Sequence, residues 1–189
     1  INIILMKFIV NSNSLLKEVQ KLNSVISSNN TLPILDNFLF EVNNKSMTII
    51  ASDLEVTMMS VIAVESESNG RITIPARILT ETLKTFSNQP LTFLIDIHTF
   101  SIEISSEIGN YKLAGQNADE FPKTPKLSAS SSSTFNGEIL ANAINKTLFA
   151  SGNDELRPVM SGVYCELSNE QVTFVTTDAH KLVKYSRTD

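Results

Sequence analysis

Asp178-Ala179-His180 carries the plainest chemical vocabulary in this chain. A carboxylate and an imidazole in the D-x-H form can ligate one metal ion, as in some metal-dependent phosphoesterases. Such centres need further Asp, Asn and His groups. The only other histidine, His98, falls in a strand turn running from Asp96 to Thr99, where it is expected to face solvent. Cys165, the single cysteine, is a potential nucleophile, but it shares an alternating strand face with apolar residues and is expected to be buried. One cysteine excludes an internal disulfide framework and a Cys-rich zinc site. No Gly-rich phosphate loop occurs. No metal or cofactor is therefore expected. Thr177-Asp178 also has a structural reading, because Ser52-Asp53 repeats it earlier in the chain and an Asp after a strand commonly caps a turn.

The basic residues form the second group with chemical potential. The chain has 189 residues and a formal charge of −5, which argues against a simple basic nucleic-acid binder. Divided by element, the balance changes. Segments 14–26, 75–87 and 136–150 read as helices and hold Lys17, Lys21, Arg77, Lys84 and Lys146 against Glu18, Glu81 and Glu138, a net +2. The remainder holds ten basic and seventeen acidic residues, a net −7. Lys17 and Lys21 share one helix face, as do Arg77 and Lys84. The face suits either phosphate contact or plain solvation with pairs such as Arg77 with Glu81.

The elements that must position these groups emerge from an internal repeat. Shifted by 125 residues without a gap, Pro33-Ile34-Leu35 falls on Pro158-Val159-Met160. Phe38, Phe40 and Val42 fall on Val163, Cys165 and Leu167, and Ser52-Asp53 falls on Thr177-Asp178. Apolar alternation stays in phase across two strands, as a buried sheet face requires. In the first copy Lys7 to Val10 is a strand and Ser14 to Ile26 a helix with an apolar stripe, capped by Asn13 or Ser14. Strands follow at Asn37 to Val42, Met47 to Ser52 and Val56 to Val64, with Asn43-Asn44 as the hairpin signal. Ser168-Asn169 takes that turn in the later copy. Between the copies lies a related pattern: a strand Arg71 to Ile74, and a helix with Pro75 at its first position and Ile78, Leu79, Leu83 and Phe86 as its stripe. Leu91 to Ile97, Phe100 to Ser105 and Tyr111 to Gly115 complete it as strands.

The chain thus reads as three βαβββ units of an α+β fold, two units making one domain. The first domain is expected over 6–125, a Ser-rich linker over 126–133, and the first half of a second domain over 134–189, with Ile139, Leu140, Ala143, Ile144 and Leu148 as the stripe of its helix. Met6 is the expected natural start, with Ile1 to Leu5 set aside from the fold. No apolar run approaches a membrane span and no signal peptide is evident, so a cytoplasmic protein without membrane contact is expected.

Several of these segments carry a family resemblance. Met6-Lys7-Phe8, Thr31-Leu32-Pro33-Ile34-Leu35, Ser52-Asp53-Leu54-Glu55, Ile74-Pro75-Ala76-Arg77, Asp119-Glu120-Phe121-Pro122 and Thr177-Asp178-Ala179-His180-Lys181-Leu182 occur in the order seen in bacterial beta sliding clamps. The sequence resembles the N-terminal half of these processivity subunits of the DNA polymerase III holoenzyme. The resemblance implies a DNA-clamp fold, with helices on the inner face and antiparallel sheets outside. It implies a non-catalytic ring, in full length a head-to-tail homodimer, that encircles duplex DNA without reading sequence. Its implied partners are the polymerase III catalytic subunit, the clamp loader, repair polymerases and other proteins bearing a clamp motif.

The resemblance also assigns sites. Lys17, Lys21, Arg77, Lys84 and Lys146 become DNA-contacting residues whose weak phosphate contacts permit sliding. Asn29 stands where some members carry a basic contact residue. Arg157, Met160, Thr177, His180, Lys181 and Leu182 match the first half of a peptide-binding cleft, with Ala179 replacing a common glycine. Tyr111 and Leu113 match apolar positions of an edge strand at the dimer interface. The competing readings are a metal-dependent phosphoesterase using Asp178 and His180, or an unrelated β-rich protein-binding scaffold. Binding of a Gln-Leu-x-x-Leu-Phe-like peptide discriminates among the three.

Overall fold

A computed structural model describes residues 5–26, 30, 32–123, 134–153, 156–168 and 170–188. The chain falls into two compact units, Ile1–Lys126 and Leu127–Asp189. In the first, strand β1 (Leu5–Asn11) buries Met6, Phe8 and Val10 on one face. Leu5, set aside on sequence grounds, pairs with Asp96 and belongs to the fold; Ile1 to Ile4 lie outside the described residues.

Helix α1 (Ser12–Leu22) starts two residues earlier than its apolar spacing suggests. Its cap is Asn11, not Asn13 or Ser14. Asn11 keeps an extended backbone, and its side chain accepts from the Ser14 N–H at 3.1 Å. Ser12 is drawn inside the fold, its hydroxyl donating to the Ser87 carbonyl at 2.7 Å. Leu15, Val19 and Leu22 form the buried stripe. The helix stops at Leu22 rather than Ile26, where Asn23 turns to donate to Thr80 Oγ1 at 3.1 Å.

The remaining elements of this unit are β2 (Asn37–Asn43), β3 (Ser46–Ser52), β4 (Thr57–Ala63), β5 (Glu65–Ser66), β6 (Gly70–Pro75), α2 (Ala76–Lys84), β7 (Pro90–Asp96), β8 (Ser101–Ser106) and β9 (Gly109–Ala114). The β2–β3 turn is Asn44-Lys45, one residue beyond the expected Asn43-Asn44. Asn44 takes the left-handed conformation (φ 56°) that Asn tolerates. Pro75 occupies the cap of α2 rather than its first helical position, because it still pairs with Asn37 as the last residue of β6. In α2 the buried residues are Ala76, Leu79, Thr80 and Leu83, and Ile78 is 53% exposed. Ile78 lies one residue, about 100° around the helix, from Leu79 and so falls outside the arc that meets the sheet.

The sheets explain why the units come in pairs. One runs β5-β1-β7-β8-β9 and the other β4-β3-β2-β6. The first strand of each βαβββ repeat therefore leaves its own repeat and completes the sheet of the other: β1 pairs with β7 along its whole length, and β6 pairs with β2. Phe8 stacks on Phe93 across the first junction at 4.7 Å. Both sheets and both helices feed one core. A smaller cluster (Ile34, Leu35, Leu39, Ile50, Ala118, Phe121) covers the other face of β2 and β3. Arg71 pins it, reaching Glu41 at 2.8 Å and Asp119 at 3.2 Å.

The second unit holds α3 (Gly137–Leu148), β10 (Tyr164–Leu167), β11 (Val172–Thr177) and β12 (Leu182–Arg187), with sheet order β10-β11-β12. Among the described residues no strand precedes α3; the Ser-rich stretch up to Ser133 lies outside them. Leu148, expected in the buried stripe, is 45% exposed, and Thr147 is buried instead. Thr147 lies one turn from Ala143, and its hydroxyl is satisfied by the Ala143 carbonyl at 3.1 Å.

Cys165 corrects the sequence expectation most clearly: it is exposed, whereas its repeat counterpart Phe40 is fully buried. The register is the same, since Phe40 faces Ile49 and Cys165 faces Phe174. Neighbours make the difference. β2 lies between β3 and β6, whereas among the described residues β10 pairs with β11 alone, and α3 packs on β11 and β12.

Candidate nucleic-acid face and peptide-binding turn

Helices α1 and α2 lie side by side, joined by the Asn23–Thr80 hydrogen bond. With their apolar stripes turned to the sheets, Lys17, Lys21, Arg77 and Lys84 are all exposed on the faces left over. These cations are not equivalent. Lys21 donates to both oxygens of Glu18, at 2.7 and 2.9 Å. Glu18 also accepts from Ser60 Oγ of β4 at 2.6 Å. The Lys21 hydrogen bond first, and that of Ser60 second, hold the Glu18 carboxyl below its usual range. Lys84 pairs with Glu81 at 2.8 Å, and that bond lowers Glu81 likewise. The pairing expected between Arg77 and Glu81 is thus replaced by Lys84 with Glu81. Among the described residues, no carboxylate lies at ion-pairing distance from Lys17 or Arg77.

In the second unit Lys146 is exposed on α3, its ammonium 4.7 Å from the centre of the Tyr185 ring on β12. Asn29 lies outside the described residues.

The turn between β11 and β12 carries most of the second residue set. Asp178 Oδ1 accepts from the backbone N–H groups of His180 (3.0 Å) and Lys181 (2.8 Å), and Oδ2 accepts from the Lys181 ammonium. The Lys181 side chain, then the two backbone donors, hold this carboxyl far below the ordinary aspartate range. Thr177 Oγ1 donates to the Lys181 carbonyl and accepts from the Ala179 N–H. Both Asp178 oxygens are therefore committed to the turn itself, the opposite of what a metal ligand needs.

The first copy repeats this construction. Asp53 Oδ1 accepts from Glu55 and Val56, and Ser52 Oγ accepts from Leu54. Leu54 and Ala179, matched by the repeat, both sit at positive φ, 80° and 75°. Ala179 thus adopts the conformation a glycine would take without penalty, and the turn keeps its form.

Met160 reaches this turn through Gly152. The Gly152 N–H donates to the Met160 carbonyl at 2.9 Å, and a Cβ on Gly152 would stand 3.5 Å from Asp178 Cβ and 3.8 Å from Met160 Cβ. Arg157 precedes the short 3-10 turn Pro158–Met160. Thr177 and Met160 are half-buried, while Arg157, His180, Lys181 and Leu182 are exposed, Leu182 by 66%. Met160 and Leu182 are the apolar members of this residue set, and Thr177, His180 and Lys181 its polar ones. Gly152 was missed from the sequence, for want of any local signal.

Tyr111 and Leu113 lie on β9, the edge of the five-stranded sheet, and turn inward. Tyr111 meets Phe86 edge-on at 5.0 Å. Their side chains anchor the strand, whose outer backbone edge has no partner strand among the described residues.

Two family descriptions match the chain in succession: the DNA polymerase III beta subunit N-terminal domain over residues 6–125, and its central domain over 134–186. The chain belongs to the DNA polymerase III beta subunit family. Relatives of this family named beta sliding clamp include those of Synechococcus elongatus, 26% identical over 94% of this chain and 48% of its own length, and Streptococcus pneumoniae serotype 4, 28% identical over 93% and 48%. Among solved structures, the Bacillus subtilis DNA polymerase sliding clamp superposes with a TM-score of 0.90 at 25% identity, covering 97% of this chain and 50% of that one. The polymerase III beta chain of Streptococcus pneumoniae gives 0.89 at 27%, again covering 97% and 50%. The chain spans about half the length of the curated relatives it matches.

Proposed function

We propose that the protein, in full length, is the processivity clamp of a bacterial replicative DNA polymerase. It acts as a non-catalytic, head-to-tail homodimeric ring that encircles duplex DNA in the cytoplasm. The observation that carries this reading is the succession of two beta-subunit domains in the family's order. Residues 6–125 form the first clamp domain, 126–133 a linker, and 134–189 part of the second. Lys17, Lys21, Arg77, Lys84 and Lys146 make transient phosphate contacts, supported by their exposure on helix faces.

Arg157, Met160, Thr177, His180, Lys181 and Leu182 contribute to a cleft for short motifs of the polymerase III catalytic subunit, the clamp loader, repair polymerases and other clamp-motif proteins. The rigid Asp178 turn favours this role, because a preorganised rim loses little entropy on binding a peptide. Tyr111 and Leu113 support the β9 edge that meets the second protomer. No helix among the described residues is long and apolar enough to cross a membrane.

The direct test is extension of a singly primed template by the cognate polymerase with the clamp loader. Addition of the full-length protein is expected to lengthen the products of single binding events, and Leu182→Ala to shorten them again. Product lengths that do not respond to the protein contradict the reading.

A further inference from the structure

The face assigned to DNA carries carboxylates as well as cations, and their placement divides the cations into two classes. Among the described residues Lys17 and Arg77 reach no carboxylate at ion-pairing distance and act on Glu18 and Glu81 only as nearby charges. Lys21 and Lys84, by contrast, are each tied to a glutamate three residues earlier. The two ties differ in build. Glu81 is an exposed side chain (63%) held only by Lys84, so it can swing aside. Glu18 is 16% exposed and bridges helix to sheet, one oxygen accepting from Ser60 of β4 while both accept from Lys21. The strand fixes its position, and when the lysine leaves, a largely buried carboxylate keeps only the Ser60 hydroxyl as a hydrogen-bond donor.

We infer that Glu18, and more weakly Glu81, hold Lys21 and Lys84 back from the DNA backbone and thereby set how tightly the ring grips the duplex. The inference rests on the reading of this face as the DNA-contacting surface. Its physical basis is competition: a phosphate can recruit Lys21 only by displacing a carboxylate to which Lys21 is the one hydrogen-bonded cation, Lys17 acting on it only as a nearby charge. Each lysine kept in its pair is one fewer counterion released from the DNA on binding. A sliding ring needs contacts weak enough to break at every step, and internal ion pairs provide that by cancelling part of the positive field and by making each paired lysine costly to recruit. The low charge of the helices has the same meaning: the surface is damped by design of its pairs, not by lack of cations.

The test measures binding of the full-length protein to a fluorescently labelled, mixed-sequence duplex by anisotropy across a salt series. Glu18→Gln keeps the shape and can still accept from Ser60, but releases Lys21. It is expected to bind about threefold tighter at 50 mM than the parent when both are referenced to 200 mM salt, with the slope of log K against log salt steeper by about 0.9. Glu81→Gln is expected to move both quantities in the same direction by less, and serves as the exposed variant least able to disturb folding. The gain of Glu18→Gln must vanish in a Lys21→Ala background. An equal gain in that background would mean that net charge alone is responsible and would overturn the proposal. So would an unchanged slope in Glu18→Gln while Lys17→Ala and Arg77→Ala flatten it, a result that leaves the DNA-contacting face standing. If Lys17→Ala and Arg77→Ala also leave the slope unchanged, the face itself is misassigned and the proposal falls with it.

Discussion

Asp178 and Ala179 do different work within one turn. Asp178 supplies the fixed acceptor for two backbone N–H groups and an ammonium, and Ala179 accepts a left-handed backbone so that those donors converge. Because the folded carboxyl is depressed by these donors, its contribution to stability is present above the ordinary aspartate range, about pH 4, and is lost as pH falls toward the folded value. Urea unfolding of the parent and Asp178→Asn should therefore differ at pH 7 and converge as pH is lowered below about 4; a difference independent of pH contradicts this. Ala179→Gly should raise stability by about 0.5–1 kcal/mol, the relief of a left-handed Cβ less the extra freedom glycine gains in the unfolded chain. The capping role of this Asp was legible in the sequence because Ser52-Asp53 repeats it. The dihedral of Ala179 was not, because alanine carries no turn signal of its own.

Strands β1 and β6 decide the architecture by crossing between repeats. Each buries an alternating face against the strands of the other repeat, so the first unit folds as a whole. Phe93→Ala should cost about 3–5 kcal/mol, since it removes one ring of the Phe8–Phe93 stack at that junction; a loss below 1 kcal/mol in urea unfolding would show the junction to be dispensable. Sequence periodicity located nearly every strand and all three helices to within a few residues. It could not reveal which sheet each strand joins, since alternation reports a buried face but not the neighbour. The same limit bears on Cys165: its phase matches Phe40, but burial depends on the strand beside it, and among the described residues β10 has a strand on one side only. Boundary errors at Asn11 and Pro75 share a cause, a strand running directly into a helix so that one residue serves both.

On the scale of the whole molecule, an acidic chain keeps one set of exposed cations on helices whose other faces are consumed by the core. Apolar stripes facing the sheets leave Lys17, Lys21, Arg77 and Lys84 outside, and under the proposed ring their contacts with DNA need only be weak. Net sequence charge alone does not reveal this surface, and helix spacing alone does not show which cations are paired. Encirclement, rather than affinity, is the central claim. Its most direct measurement is the retention of loaded, full-length protein on linear duplex DNA whose ends are either blocked by bulky protein or left free. Retention is predicted to be long with blocked ends and brief with free ends, as the ring slides off. Equal retention in the two cases would contradict the account.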